Sequence, residues 1–334
     1  MSPRLLQLLA LTPLVLAGCG GKDNDKVKDL LDTGWFVDTA VFDAENCKNK
    51  ISSTLPETGT NDWYWKSPLR VYTSTTNDDA YTTWLVDGNG AQVEMERVWS
   101  PDGLNFELNI PGGLKSSTNY TLNINDCGAN HAIDFTTSAF GEALLFGPEA
   151  LVGKTYHLDL VDADWVEPGG IGGLLALYFT TPILIGVKVA NPIHIDFMGV
   201  PGELDEFGVL QQDMNEATWD FPLTDFRDAP YFQAFSDGVT FSFEGLDVPI
   251  VDFRLAGTFS ADMTEIGGIE LSGLGDTRNL GELINDSDET AVCQLAGTFG
   301  VDCIECPDGE DLCLFMNARE VDGTLVPGIT LVDN

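Results

Sequence analysis

Residues 104–124 read Leu-Asn-Phe-Glu-Leu-Asn-Ile-Pro-Gly-Gly-Leu-Lys-Ser-Ser-Thr-Asn-Tyr-Thr-Leu-Asn-Ile. Leu104, Phe106, Leu108 and Ile110 alternate with Asn105, Glu107 and Asn109, and Tyr120, Leu122 and Ile124 resume the period beyond Pro111-Gly112-Gly113. A period of two with polar residues opposite is the pattern of a half-buried strand, and Pro-Gly-Gly supplies a turn. The same pattern extends in both directions. Leu69, Val71 and Thr73 share a face upstream, Asp87-Gly88-Asn89-Gly90 gives a second turn, and Ile133 and Phe135 follow downstream. Short strands with turns every ten residues or so predict a β-sandwich across Lys50–Ser138.

Leu114-Lys-Ser-Ser-Thr-Asn-Tyr120-Thr-Leu-Asn-Ile124 resembles the L-x-x-x-T-x-Y-x-L-x-V run of bacterial Ig-like domains of the SbsA-like group, found in surface and adhesion proteins. Leu55-Pro56-Glu57-Thr58-Gly59 is similar to their Pro…Gly opening, Trp84–Val93 to their central hairpin and Phe135–Ser138 to their closing strand. The resemblance implies an Ig-like sandwich over residues 46–140. It also implies that Tyr120 is a tyrosine-corner residue, with its hydroxyl bonded to backbone a few residues upstream. Cys47 and Cys127 depart from the family's pattern. They flank the sandwich strands and are expected to pair with each other.

The N-terminus carries an address. Arg4 precedes an apolar run from Leu5 to Leu16, then small residues and a cysteine, which is the layout of a secretory signal. Leu16-Ala17-Gly18-Cys19 resembles the lipobox of bacterial lipoproteins, which implies cleavage after residue 18 and acylation of Cys19. Gly20 stands where an inner-membrane retention signal would have Asp, so an outer-membrane anchor is expected. Residues 19–45 are polar and acidic and predict a tether, with Trp35 and Phe36 as isolated aromatics.

Charge narrows the partners. With 16 Lys+Arg against 53 Asp+Glu, the formal net charge is −37. Nucleic acid and anionic lipid surfaces are repelled. Membrane attachment through the N-terminal lipid and contact with other envelope proteins remain open. Beyond Cys19, six cysteines (Cys47, Cys127, Cys293, Cys303, Cys306 and Cys313) form an even set in an exported chain and predict disulfides, the last four pairing among themselves.

Residues 150–334 predict an antiparallel β-rich domain with one or two short helices, and no family resemblance accompanies it. Pro168–Val187 holds twenty uncharged residues, long enough to span a membrane. Pro182 and several glycines divide it, however, into a helical turn (Ile171, Leu174, Leu175, Tyr178) and a strand. Ile183, Ile185, Val187 and Val189 share a face that continues through Ile193, Ile195 and Phe197. Val239, Phe241 and Phe243 alternate, as do Val251, Phe253, Leu255 and Phe259; Ile269 and Leu271 begin a return strand. Asp276-Thr277 with Leu280, Leu283 and Ile284 predicts a short helix, and Thr324–Val332 a last strand.

Chemistry is sparse. Cys303-x-x-Cys306 is a spacing that zinc or a redox pair would use, yet its acidic neighbours disfavour a thiolate, so structural disulfides are expected. His131, His157 and His194 belong to no catalytic motif, and no nucleophile elbow, His-Glu-x-x-His or P-loop occurs. Asp159/Asp162/Asp164, Glu203/Asp205/Glu206 and Asp286/Asp288/Glu289 are the candidates for calcium; no other cofactor is expected. The expected function is a structural or binding, non-catalytic envelope lipoprotein. An apolar-ligand carrier would need a cavity lined by residues such as Ile185, Val187 and Phe253, and an extracellular hydrolase would need convergent carboxylates or a histidine cleft.

Overall fold

Alternation along the sequence becomes two inner faces. The computed structural model describes residues 50–74, 80–126, 128–161, 163–169, 181–243, 246–284 and 288–334. One four-stranded sheet has the order β1 (Ile51–Leu55), β2 (Leu69–Thr73), β6 (Asn105–Asn109), β5 (Glu96–Trp99). The other has the order β4 (Gln92–Val93), β3 (Tyr81–Asp87), β7 (Asn119–Asp126), β8 (Ala129–Thr136). All pairings are antiparallel. Leu69, Val71, Phe106 and Leu108 from the first sheet share a core with Leu85, Leu122, Ile124 and Phe135 from the second. Each such side chain contributes about 1.5–3 kcal/mol by leaving water.

In Ig lettering the sheets are ABED and C′CFG, so the sandwich is Ig-like by its own strand order. Tyr120 opens the F-equivalent strand, and its hydroxyl accepts the Lys115 backbone N–H at 2.9 Å. That is the tyrosine corner. Two residues on, where antibody domains keep a cysteine, stands fully buried Leu122. Hydrophobic packing closes this core at that point in place of an inter-sheet disulfide.

The rest of the chain builds one ten-stranded antiparallel sheet. Its strands are β9 (Thr155–Asp159), β10 (Asp164–Glu167), β11 (Ile183–Ala190), β12 (His194–Leu204), β13 (Leu210–Gln212), β14 (Trp219–Asp225), β15 (Tyr231–Phe243), β16 (Leu246–Phe259), β17 (Glu265–Asp276) and β18 (Cys313–Leu325). The main path runs β13-β12-β11-β9-β18-β17-β16-β15, with β14 paired to β12 and β10 to β18. β14 also lies alongside β15, so the sheet curls back on itself like a barrel. Aromatic rings fill the inside. Phe197 of β12 meets Phe232 of β15 at 4.7 Å between centroids, and Trp219 of β14 meets Phe241 of β15 at 5.0 Å.

Several expectations are refined. Ile183, Ile185 and Val187 do face the interior, but a register shift between Val187 and Val189 turns Val189 outwards, and Ile193 is exposed as well. The apolar segment Pro168–Val187 ends in strand β11, and among the described residues no helix is long and apolar enough to cross a membrane. Its proposed helical turn, residues 171–178, lies outside the described residues. The helix expected after Asp276 is a 3-10 turn, Arg278–Ile284, and a short helix α1 spans Ala291–Gly297. The last strand is misplaced in the sequence reading: β18 ends at Leu325. Beyond it Pro327 and Gly328, the latter at φ +83°, stop the ladder. The tail instead packs Leu331 on Leu184, Met198 and Val200, covering the outer face of β11 and β12.

Replacing Tyr120 by Phe deletes the corner bond and leaves the ring's packing intact. A loss of about 1 kcal/mol is expected, read as a lower denaturation midpoint at unchanged slope.

Candidate functional site

The segment joining β1 to β2 carries Trp63-Tyr64-Trp65-Lys66, an aromatic run followed by one of the chain's few cations. Sandwich backbone holds it: Trp63 N–H donates to Thr136 O at 3.2 Å, and Leu114 N–H donates to Trp65 O at 2.7 Å. Its side chains reach the large sheet. The Tyr64 hydroxyl and Thr258 Oγ1 are 2.6 Å apart, and Trp65 Nε1–H donates to the same oxygen at 3.3 Å. Thr258 is fully buried, so this one hydroxyl satisfies both polar tips. Burial pushes the Tyr64 phenol well above its ordinary value, opposed by the Thr258 bond, so it stays protonated.

Glycine makes the approach possible. Gly268 sits at φ +59°, and a Cβ there would collide with the Tyr64 ring; on Gly267 it would meet Phe140. Trp65 in turn lies against Gly113 and Gly141 and meets Tyr231 edge-on at 6.2 Å. Sandwich and large sheet thereby belong to one compact unit, Ala44–Asn334.

Beside this contact lies a cleft of about 240 Å³. Trp63, Tyr64, Lys66, Arg70 and Glu107 line it from the sandwich, and Tyr231, Glu270, Arg319 and Glu320 from the large sheet. A register shift between Ile269 and Leu271 on β17 falls opposite Arg319–Glu320 on β18, and Glu320 takes φ +55°. This bulge brings Arg319 Nε to 3.5 Å from Glu270 Oε1. Arg70 Nε donates to Glu107 Oε1 at 2.9 Å. The Lys66 ammonium lies 3.8 Å from the Tyr231 ring centroid and 4.7 Å from that of Trp65. Burial lowers its pKa, opposed by the charge of Asp228. The sequence reading missed this site; the signal was Trp-Tyr-Trp-Lys between two strands of a strongly acidic chain.

The residues singled out from sequence fall elsewhere. Cys293 pairs with Cys303 and Cys306 with Cys313, so the Cys-x-x-Cys residues bond outwards and not to each other. Cys19, Cys47 and Cys127 lie outside the described residues. His131 is on β8, with Nε2 2.9 Å from Asp126 Oδ1, while Asp126 Oδ2 accepts Ile51 N–H at 3.1 Å. His157 and His194 sit on β9 and β12. Ile185, Val187 and Phe253 belong to the packed interior, and the cavity beside Phe253 holds about 20 Å³, room for little more than one water.

The acidic clusters have local duties. Asp159 Oδ1 accepts Val161 N–H at 3.0 Å, and Asp205 Oδ1 accepts Phe207 and Val209 N–H at 2.8 Å each. Asp288 Oδ1 accepts Thr290 N–H at 2.9 Å. Asp162 and Asp286 lie outside the described residues. Among the described residues no group of three or more His, Cys, Asp or Glu is placed to hold a metal ion. Asp87, Asp102, Asp262 and Asp308 cap turns in the same way.

No family model matches the chain, and no curated protein matches it. Among solved structures 11 chains match. One is the crystal structure of the Lin-41 filamin domain, 16% identical, covering 25% of this chain and 89% of that one at a TM-score of 0.19. The Ig-like character of the sandwich rests on its strand order and its tyrosine corner.

Gly268→Ala adds a methyl where Tyr64 docks, in a left-handed conformation, and is expected to cost about 1–3 kcal/mol in thermal or denaturant melts. Acid should act through the turns. The carboxyls of Asp87, Asp102, Asp262, Asp288 and Asp308 are held below the ordinary value of 3.8 by the bonds they accept. Their contribution is therefore complete above about pH 4 and disappears as pH falls through the lowered folded values. Melting temperature should be level from neutrality to about pH 5 and fall below pH 4; a flat profile to pH 2 would refute this role for the aspartates.

Proposed function

We propose that this protein is a lipid-anchored component of a bacterial cell envelope, held in the outer membrane through Cys19, whose folded part binds rather than catalyses. The observation that carries the binding role is the cleft of about 240 Å³ between sandwich and large sheet. Its walls are fixed by the Tyr64–Thr258–Trp65 contact, and its lining mixes cations, carboxylates and aromatic rings. It stands just below the range of about 300–1,000 Å³ common for drug-sized ligands, which suits a small polar one.

The anchor rests on the lipobox-like Leu16-Ala17-Gly18-Cys19. The two C-terminal disulfides agree with an oxidising compartment. A Cys47–Cys127 bridge belongs to the same reading: Ile51, just beyond Cys47, donates its N–H to Asp126, the neighbour of Cys127. The bridge would fasten the tether's exit to the sandwich. No described observation favours the carrier or the hydrolase.

Cys19→Ala should move the protein from the membrane pellet to the soluble fraction on cell fractionation. Retention of the variant in the pellet after a high-salt wash would refute lipid anchoring.

A further inference from the structure

The charge arrangement in the cleft is uneven in one place. Arg70 and Arg319 each face a carboxylate, Glu107 and Glu270 respectively. Lys66 does not. Among the described residues it makes no ion pair; its ammonium rests on the π faces of Tyr231 and Trp65. Asp228 influences it only from beyond ion-pair distance, and Glu320, the remaining acid of the lining, is exposed on the bulge.

A half-buried ammonium loses part of its hydration, and ring quadrupoles replace only a fraction of it. Among the described residues no side-chain or backbone oxygen accepts from the ammonium, which carries three N–H donors. An oxyanion seated beside it would meet charge-assisted hydrogen bonds from Lys66. Arg70, which faces Glu107 through Nε and Asp164 through Nη1 at 3.9 Å, and Arg319, which faces Glu270, line the same space. In a chain at −37 the cleft gathers three cations, Lys66, Arg70 and Arg319, beside Glu107, Glu270 and Glu320. Screening over roughly 8 Å at physiological salt isolates it from the acidic surface beyond. Of the rings that line the cleft, Trp63 packs on the sandwich core, Tyr64 bonds Thr258 through its hydroxyl and Tyr231 lies under the lysine.

We infer that the cleft binds a small oxyanion-bearing ligand, a carboxylate or a phosphate, with Lys66 as its principal charge partner. This rests on the reading of the cleft as a binding site.

The test titrates the full chain, lacking only residues 1–18 and with Cys19→Ser, with inorganic phosphate, succinate and uncharged glucose at constant ionic strength. The readouts are the melting temperature and the side-chain NMR signals of Trp63 and Tyr231. A saturable response to one anion is expected, weakened about tenfold or more in Lys66→Gln and unchanged in Lys154→Gln. Phosphate against succinate separates the two sources of oxyanion. Lys66→Arg, which keeps the charge, should retain binding if the first variant merely destabilises the fold. Equal anion responses in the native chain and Lys66→Gln would overturn the assignment to Lys66. A response at Trp63 and Tyr231 to glucose alone would overturn the oxyanion and leave the cleft as a binding site. No response to any of the three would overturn both.

Discussion

The structure turns on one buried hydroxyl. Thr258 lies on β16, without exposure to solvent, and among the described residues it is the only polar partner of the Tyr64 phenol and the Trp65 indole. A buried donor left unmade costs about 1–3 kcal/mol, so neither ring could enter this contact against an apolar residue without loss. The neighbouring Gly267 and Gly268 remove the side chains that would stand in the way of Phe140 and Tyr64. One acceptor and two missing methyls thus decide that an Ig-like sandwich and a curled ten-stranded sheet share a face. The cleft is what that fit leaves open.

Acidity has a distributed explanation. Many aspartates sit at turns where their carboxylates accept the N–H two residues on, as at Asp87, Asp102, Asp205 and Asp262. Such a turn asks for Asp or Asn, and a fold with so many hairpins uses the motif repeatedly. Part of the negative charge is therefore turn chemistry. Basic residues are scarce enough that their positions matter. Arg278 joins the end of β17 to the disulfide-bonded segment through Asp276 and Asp308, each at 2.6 Å. Lys66, Arg70 and Arg319 meet in the cleft.

The sandwich was largely legible in the sequence because its strands are buried on one face only, so alternation reports orientation directly. Tyr120 could be assigned a role because the tyrosine corner is local, its bond reaching only to Lys115. The large sheet was legible as strands but not as a curled sheet. β11 and β12 are buried on both faces, Ile185 inside and Leu184 outside under the tail, so their pattern reads as continuous apolar sequence. Bulges at Val187, Val251 and Arg319–Glu320 shift the alternation midway. The cleft was the least legible part. It forms where residues 63–70 meet residues 268–270 and 319–320, and local periodicity carries no information about that meeting.

One pairing orders events in time. β9, near residue 155, hydrogen-bonds on one side to β18, which ends at Leu325, while Leu331 covers Leu184. A ribosome or a secretion channel delivers the chain from its N-terminus, so the sandwich strands are complete long before the partner of β9 emerges. Until the last residues arrive, β9 and the outer faces of β11 and β12 stay uncovered, with an open edge and apolar surface facing water. The sandwich can mature early; the large sheet is an assembly that only the finished chain can close.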